Sequence, residues 1–364
     1  MQRSKRLSVI ARRLQAQGLV GEPFATAVDA VRWLGAVQSQ DYRAARWALG
    51  QRTSDATEAG VDRLFDQGAI VRTHVMRPTW HFVVADDIRW LLVLTAPRVR
   101  AGLAGRHRQL EIDEQVAARA NEVITQALAG GRHATRAQLG EALRRAGIAP
   151  DGQRLPHFLL GAELDGLIVS GPRMERQFTY ALLDERVPPA RPLDRNEAVT
   201  ELITRYFRSH GPAQIRDFVW WSGLSTTDAR AGIALARSAL DHEVIDGSDY
   251  WFDAATAGMQ RASRNAHLLP SFDEYTVGYR DRSALLDPDR PFAAELFSFA
   301  SILSNVVTIR GEVRGSWRRI TTRGRACIQV RTLDPLRSSE SAAVEDACRR
   351  LRRFVERDVS LTWS

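Results

Sequence analysis

Over Val123–Ile148, VITQALAGGRHATRAQLGEALRRAGI, apolar positions recur at helical spacing, break at a glycine pair and resume behind a polar start, which predicts two helices. LPHFLLGAELDGLIVSG then supplies a third helix that ends at a glycine and runs into a β-rich strand, with QFTYALL as partner strand. The same order returns over Ala198–Phe252. There SHGPAQIRDFVWWSGL gives a turn and second helix, STTDARAGIALARSAL opens on a capping Ser/Thr run, and EVIDGSDYWF is a hairpin with an Asp-Gly turn signal. A third version opens the chain: SVIARRLQAQGL, AVDAVRWLGAVQ, then GVDRLFDQGAIVRTHVMRPTWHFV, a short helix followed by two β-rich segments around MRPT. Trp220 and Trp221 are expected in the core of the unit that contains them.

Helix-turn-helix plus hairpin is the winged-helix plan, used mostly on duplex DNA, although helical hairpins with a β-ribbon also serve as protein-interaction modules. The proline-rich, charged stretch DERVPPARPLDRNE (Asp184–Glu197) is the clearest linker. From His267 the texture changes to β-branched, alternating runs with glycine turns, HLLPSFDEYTVGYRDR, NVVTIRGEVRGSWRRI and CIQVRTLD, followed by a helix with an arginine strip, SAAVEDACRRLRRFVERD. The expected fold is therefore α+β: winged-helix units at residues 1–110, 111–190 and 191–262, then a β-barrel-like domain closed by a terminal helix at 263–364.

A chain of 364 residues with 44% hydrophobic residues can bury a large core. Lys and Arg total 51 against 43 Asp and Glu, a net charge of +8, which suits a polyanionic partner. Nearly all of that charge is arginine. Lys5 is the only lysine and sits in the basic segment MQRSKR, so a buried Schiff-base lysine is ruled out. Cys327 and Cys348, the only cysteines, lack the paired spacing of a zinc site. No signal-like segment and no uninterrupted apolar run of about 18 residues appears, so a cytoplasmic, nucleoid-associated protein with no membrane partner is expected.

The chemistry concentrates in LGAVQSQDYRAARWAL, Leu34 to Leu49. Val28, Val31, Leu34 and Val37 follow helical spacing, which places Gln38 at a helix end. On a continuing helix Gln38 and Gln40 point about 200° apart; in an extended segment they face the same way and can aim two carbonyl oxygens at one point. A solvated helix end, or phosphate contacts, is the blander alternative, and composition alone favours it. His74 and His81 flank the turn in HVMRPTWH and are read as structural or DNA-contacting, since no metal-ligand spacing exists. Neither metal nor cofactor is expected.

Four separated segments, LGAVQSQDYRAARWAL, RTHVMRPTWHFV, HLLPSFDEYTVGYRDR and RGEVRGSWRR, occur in the order found in the bacterial AlkZ-type (YcaQ-like) DNA glycosylases, and the chain resembles that family from about residue 5 to its end. The resemblance implies three tandem winged helices and a C-terminal barrel around a basic cleft for duplex DNA. It also implies excision of N7-alkylguanines, bulky adducts and interstrand crosslinks included, for repair or self-resistance to an alkylating toxin. The family's catalytic Gln-apolar-Gln motif maps onto Gln38 and Gln40; Ser39 departs from it with a polar middle residue. Asp41 is a candidate assistant. With no suitable lysine, the expected enzyme is monofunctional and leaves an abasic site.

Arg43, Arg46, Arg77, Arg310, Arg314, Arg318 and Arg319, with His74, are the candidate DNA contacts, since arginine binds phosphate bidentately and enters minor grooves; each alone also reads as an ordinary surface residue. The family probes DNA with a β-hairpin, assigned to VVTIRGEVRGSWRR. Asp273 and Glu274 are read as fixing a barrel strand by hydrogen bonding. The expected partner is duplex DNA containing alkylated guanine, bound by a monomer. A non-catalytic winged-helix regulator is the alternative.

Overall fold

A computed structural model of the chain describes residues 3–256, 265–285, 305–322 and 325–364. The chain divides into two compact units. Met1–Asp62, Thr200–Trp221 and Ser225–Ser364 form one; Arg63–Val199 and Ser222–Leu224 form the other.

The first unit opens with α1 (Arg3–Ala16), α2 (Ala27–Leu34), the two-residue strand β1 (Val37–Gln38) and α3 (Tyr42–Gly50). α1 buries Val9, Ile10 and Leu14, an apolar stripe of helical period. α2 starts in a capping box: the Thr26 hydroxyl accepts from the Asp29 N–H at 3.1 Å and the Asp29 carboxylate accepts from the Thr26 N–H at 3.1 Å. It stops at Gly35, whose φ of +80° suits a residue without Cβ. A new cap, Asp41, begins α3. The stop and the restart together keep residues 36–41 out of any helix.

α4 (Glu58–Gln67) leads into the second unit. There β2 (Ile70–His74) and β3 (Trp80–Val84) form a hairpin with His74 opposite Trp80 and Thr73 opposite His81. After α5 (Ile88–Gln109) come α6 (Glu114–Leu128), β4 (Ala134–Thr135), α7 (Arg136–Arg145), α8 (Arg154–Leu164), β5 (Ile168–Ser170), β6 (Thr179–Leu182) and the one-turn α9 (Leu183–Arg186), with the strands ordered β4-β6-β5. The two helices predicted over residues 123–148 are present, with the third following as expected. Ile124, Leu128, Leu139, Leu143, Phe158 and Leu159 form their shared core.

The chain returns to the first unit through α10 (Arg195–His210), followed by α11 (Ile215–Ser222), α12 (Thr226–Leu235) and the hairpin of β7 (Leu240–Ile245) and β8 (Ser248–Asp253). Asp246 and Gly247 both have positive φ, 48° and 76°, the type I′ geometry that an Asp-Gly turn favours. β9 (Ala266–Leu269), the one-turn α13 (Glu274–Val277), β10 (Val306–Ile309), β11 (Glu312–Thr322) and β12 (Arg325–Thr332) precede the C-terminal helix Ser338–Val355 and β13 (Val359–Trp363).

These strands form one sheet in the order β13-β12-β11-β10-β9. It is an open sheet among the described residues, where the sequence suggests a barrel-like closure. The C-terminal helix explains the difference: it returns the chain so that β13 adds parallel to β12, at the edge farthest from β9. The helix buries Val344, Ala347, Cys348, Leu351 and Phe354, the last 5.3 Å from the Trp47 ring. No helix among the described residues is long and apolar enough to cross a membrane.

Candidate active site

Gln38 is 6% exposed and Ser39 fully buried, whereas Gln40 lies on the surface. All three fall between α2 and α3 in non-helical backbone, so the helical geometry that would point the glutamines about 200° apart does not apply. Ser39, the polar residue at the middle position, is buried. Asp41 Oδ1 accepts from the backbone N–H groups of Arg43 and Ala44 at 2.9 and 3.1 Å, so this carboxylate caps α3.

The segment is held from behind by two consecutive carboxylates. Asp273 caps α13 and forms a bidentate pair with Arg52 at 2.8 and 2.9 Å, both groups fully buried. The remaining Arg52 donors reach Gln17 O at 2.8 Å, Gln17 Oε1 at 3.0 Å and Ala48 O at 2.8 Å, so all five N–H groups are engaged. Arg52 follows α3, and the pair thereby fixes α13 to that helix. The next residue, Glu274, accepts the Gln38 backbone N–H through Oε1 at 2.8 Å and the Trp221 indole N–H through Oε2 at 2.9 Å.

His210 Nε2 stands 3.4 Å from Glu274 Oε2, and the imidazole is stacked 4.7 Å from the Tyr206 ring. Burial pushes the His210 pKa below its ordinary value, with the Glu274 carboxylate pulling the other way. The Gln38 backbone is therefore tied to a buried carboxylate whose other oxygen is held by Trp221.

A family model described as DNA glycosylase AlkZ-like matches residues 31–354, which include the glutamine segment, α13 and the strands behind it. The chain belongs to the AlkZ-like DNA glycosylase family. It is accordingly a DNA glycosylase. Among solved structures, the Streptomyces sahachiroi DNA glycosylase AlkZ is similar with a TM-score of 0.80 and 22% sequence identity, covering 100% of both chains. At that identity the likeness establishes a shared mixed α+β fold. No curated protein matches the chain by sequence.

The basic residues sort into two groups. Arg43, beside the glutamines on α3, is exposed and forms no ion pair among the described residues. Arg310 is exposed in the β10–β11 turn, and Arg318 and Arg319 are exposed on β11, where strand alternation sends them to opposite faces; Arg318 Nε donates to Gln329 at 2.6 Å. Arg77 is half-buried in the β2–β3 turn. Arg46 and Arg314 are internal. Arg46 is buried between Glu58 and Asp62, at 2.8 Å from each, and Arg314 pairs with Glu340 at 3.2 Å.

His74 binds Glu163 through Nδ1 and packs with its ring centroid 4.1 Å from that of Trp80, the planes tilted by 44°, a packing role. The two histidines occupy adjacent register positions and so lie on opposite faces of the hairpin. His81 is fully buried, with Nδ1 donating to Thr79 O at 2.8 Å.

The hairpin assigned to DNA probing is also turned inward at its tip. Gly311 has φ +80°, and a Cβ there would lie 2.4 Å from Ile10 Cγ2 and 2.7 Å from Tyr275 Oη. Tyr275 donates to Gly311 O at 3.1 Å, so the Gly311 side of the turn docks on α1 and α13, while Arg310 beside it is exposed. Asp273 and Glu274 sit at the start of a short helix, not on a strand. Trp221 is core, as expected, but Trp220 is 41% exposed, its indole donating to Val277 O at 3.2 Å. Glu274, Trp221 and His210 are the supporting residues that the sequence does not assign to the site; the adjacent acidic pair in FDEY was their one visible signal.

Proposed function

We propose that Gln38 and Gln40 carry the hydrolysis of the N-glycosidic bond of N7-alkylguanine in duplex DNA, bulky adducts and interstrand crosslinks included. Such an enzyme serves repair or resistance to a DNA-alkylating agent. Alkylation at N7 makes guanine cationic, so the base departs without a strong general acid. What remains is to place a water and to stabilise the oxocarbenium-like sugar, which is positioning plus preorganised electrostatics. Amide carbonyl oxygens do both without adding a full charge. Asp41, whose Oδ1 caps α3, has a second carboxylate oxygen available to assist.

The observation that supports this reading best is that the Gln38 segment, free of helical geometry, is fixed at its backbone by buried Glu274. The only lysine, Lys5, is ion-paired to Asp246 at 3.3 Å, in keeping with a monofunctional enzyme that leaves an abasic site. Three winged-helix units acting as a monomer supply the duplex-binding surface, with Arg43, Arg77, Arg310, Arg318 and Arg319 as phosphate and groove contacts. A bulky or crosslinked adduct cannot enter a tight base-flipping pocket, which favours recognition in an open cleft.

The test is base release from duplex DNA bearing N7-methylguanine or a bulky N7 adduct. Wild-type protein releases base; Gln38→Ala and Gln40→Ala each cut release to a small residual rate while binding the same duplex within about threefold of wild type. Wild-type protein that binds the lesion but frees no base would establish a DNA-binding regulator instead.

A further inference from the structure

We infer that the second unit carries a separate binding pocket for a nucleotide, meaning an aromatic base attached to a phosphate. The pocket encloses about 590 Å³, within the range of small-molecule sites, and lies among β2, β3, β5, β6 and the first turn of α7. Its lining holds three arginines, Arg72, Arg136 and Arg176, and no carboxylate. Its apolar wall is aromatic, formed by Trp80, Phe178 and Tyr180.

The arrangement is specific in two respects. The Arg72 guanidinium is buried and lies over two rings at once, 4.3 Å from the Trp80 centroid and 5.0 Å from the Phe178 centroid, so a cation is fixed inside an aromatic wall. Arg136 and Arg176 extend from the surface side and form no ion pair among the described residues. The buried carboxylate that acts electrostatically on Tyr180, Glu163, is engaged by His74. Glu163 also acts on Arg72, so the uncompensated positive charge of the pocket is that of Arg136 and Arg176.

Phe178 is 37% exposed, a large ring left open to solvent at the mouth. Aromatic faces and arginine planes stack on nucleobases of any sequence, and guanidinium forks bind phosphate bidentately. One ligand chemistry satisfies both halves of the lining. A neutral base would leave the arginines unused, and inorganic phosphate would leave the rings unused. The inference stands apart from base release at Gln38 and Gln40.

Equilibrium dialysis of the full chain against adenosine 5′-monophosphate tests it. Saturable binding is expected, with adenosine and inorganic phosphate each at least tenfold weaker. The exposed-residue variants Arg136→Ala/Arg176→Ala and Phe178→Ala should each weaken binding at least tenfold while keeping wild-type circular dichroism. A short single-stranded oligodeoxynucleotide that displaces the nucleotide at lower concentration than free nucleotide identifies a strand as the source. A weaker oligonucleotide identifies a free nucleotide; both outcomes support the site. Absence of saturable binding by either probe, equal affinity for adenosine or phosphate, or indifference to both variants overturns it.

Discussion

Glu274→Gln is the sharpest probe of the active-site reading. The carboxylate presents two acceptors to two buried donors, the Gln38 N–H and the Trp221 indole N–H. An amide of the same shape has one acceptor and one N–H₂ group, so whichever way it turns, one donor meets a donor. An unsatisfied buried donor costs about 1–3 kcal/mol. Removing a buried charge offsets part of this, so the fold survives with a loss below ~3 kcal/mol. The consequence for chemistry is larger. Where a reacting group is displaced by about 1 Å, rates fall on the order of 100-fold.

Single-turnover release of N7-methylguanine from a duplex should therefore slow by about 100-fold, with the dissociation constant for the same duplex changed less than about twofold. If Glu274 acts as a positioning residue through Gln38, adding Glu274→Gln to Gln38→Ala produces no further loss, a coupling that a double-mutant cycle reads directly. Wild-type release by a well-folded Glu274→Gln protein, or full additivity in the cycle, refutes the assignment.

Breaking the buried Arg52–Asp273 pair by Arg52→Met should destabilise the protein by about 3–5 kcal/mol in urea unfolding, because it strands a buried carboxylate; Arg52→Met/Asp273→Leu should recover part of that loss. Gly311→Ala should lower the unfolding midpoint, through both the positive φ and the collision with Ile10, and it should do so without changing DNA affinity measured at a temperature where the variant is folded. His267, whose Nε2–H donates to Leu19 O at 2.9 Å, is pushed by burial down to about 4 from an ordinary value of 6.5. Its contribution is thus complete above pH 6.5 and is lost as pH falls towards about 4, worth about 2 kcal/mol by pH 5; urea titrations across that window should show the loss, and His267→Gln should flatten it. In salt titrations on unmodified duplex, Arg43→Ala should reduce the slope of log K against log salt by about 0.9, whereas Arg46→Ala and Arg314→Ala should lower stability and leave the slope unchanged.

Local order was legible in the chain wherever chemistry and period agreed. The helices of residues 123–148 have a clean apolar stripe and a capping Thr135, and the Asp-Gly turn between β7 and β8 admits few alternatives. The non-helical glutamine segment could be anticipated as a possibility but not decided, because it depends on Gly35 ending one helix and Asp41 starting the next. Long-range closure was not legible. Whether β13 seals a barrel or adds to an open sheet depends on the path of the preceding helix, and that path is set by contacts such as Phe354 on Trp47 that span about three hundred residues. The inward packing of the β10–β11 turn is not legible for the same reason: Arg310-Gly311 has the sequence of an exposed tight turn, and its contacts come from Ile10 and Tyr275, both distant in the chain.

The arginines show why charge is an incomplete guide to an interface. In a chain whose only lysine is Lys5, arginine supplies nearly every cation, so the residues that bind a polyanion and those that bind internal carboxylates are of one type. Burial separates them. Arg46, Arg52 and Arg314 each meet one or two carboxylates inside the fold, and a guanidinium buried against a carboxylate is withdrawn from a phosphate at the surface. Their positive charge still counts in the net value of +8 but is cancelled locally, so it adds little to the field at the surface. Arg43 is different because Asp41, two residues away, directs its carboxylate to the backbone of α3 instead of to a guanidinium. The helix cap that ends the glutamine segment thus also leaves an uncompensated cation next to Gln40, where the proposed assignment of Gln38 and Gln40 puts a phosphate flanking the reacting sugar.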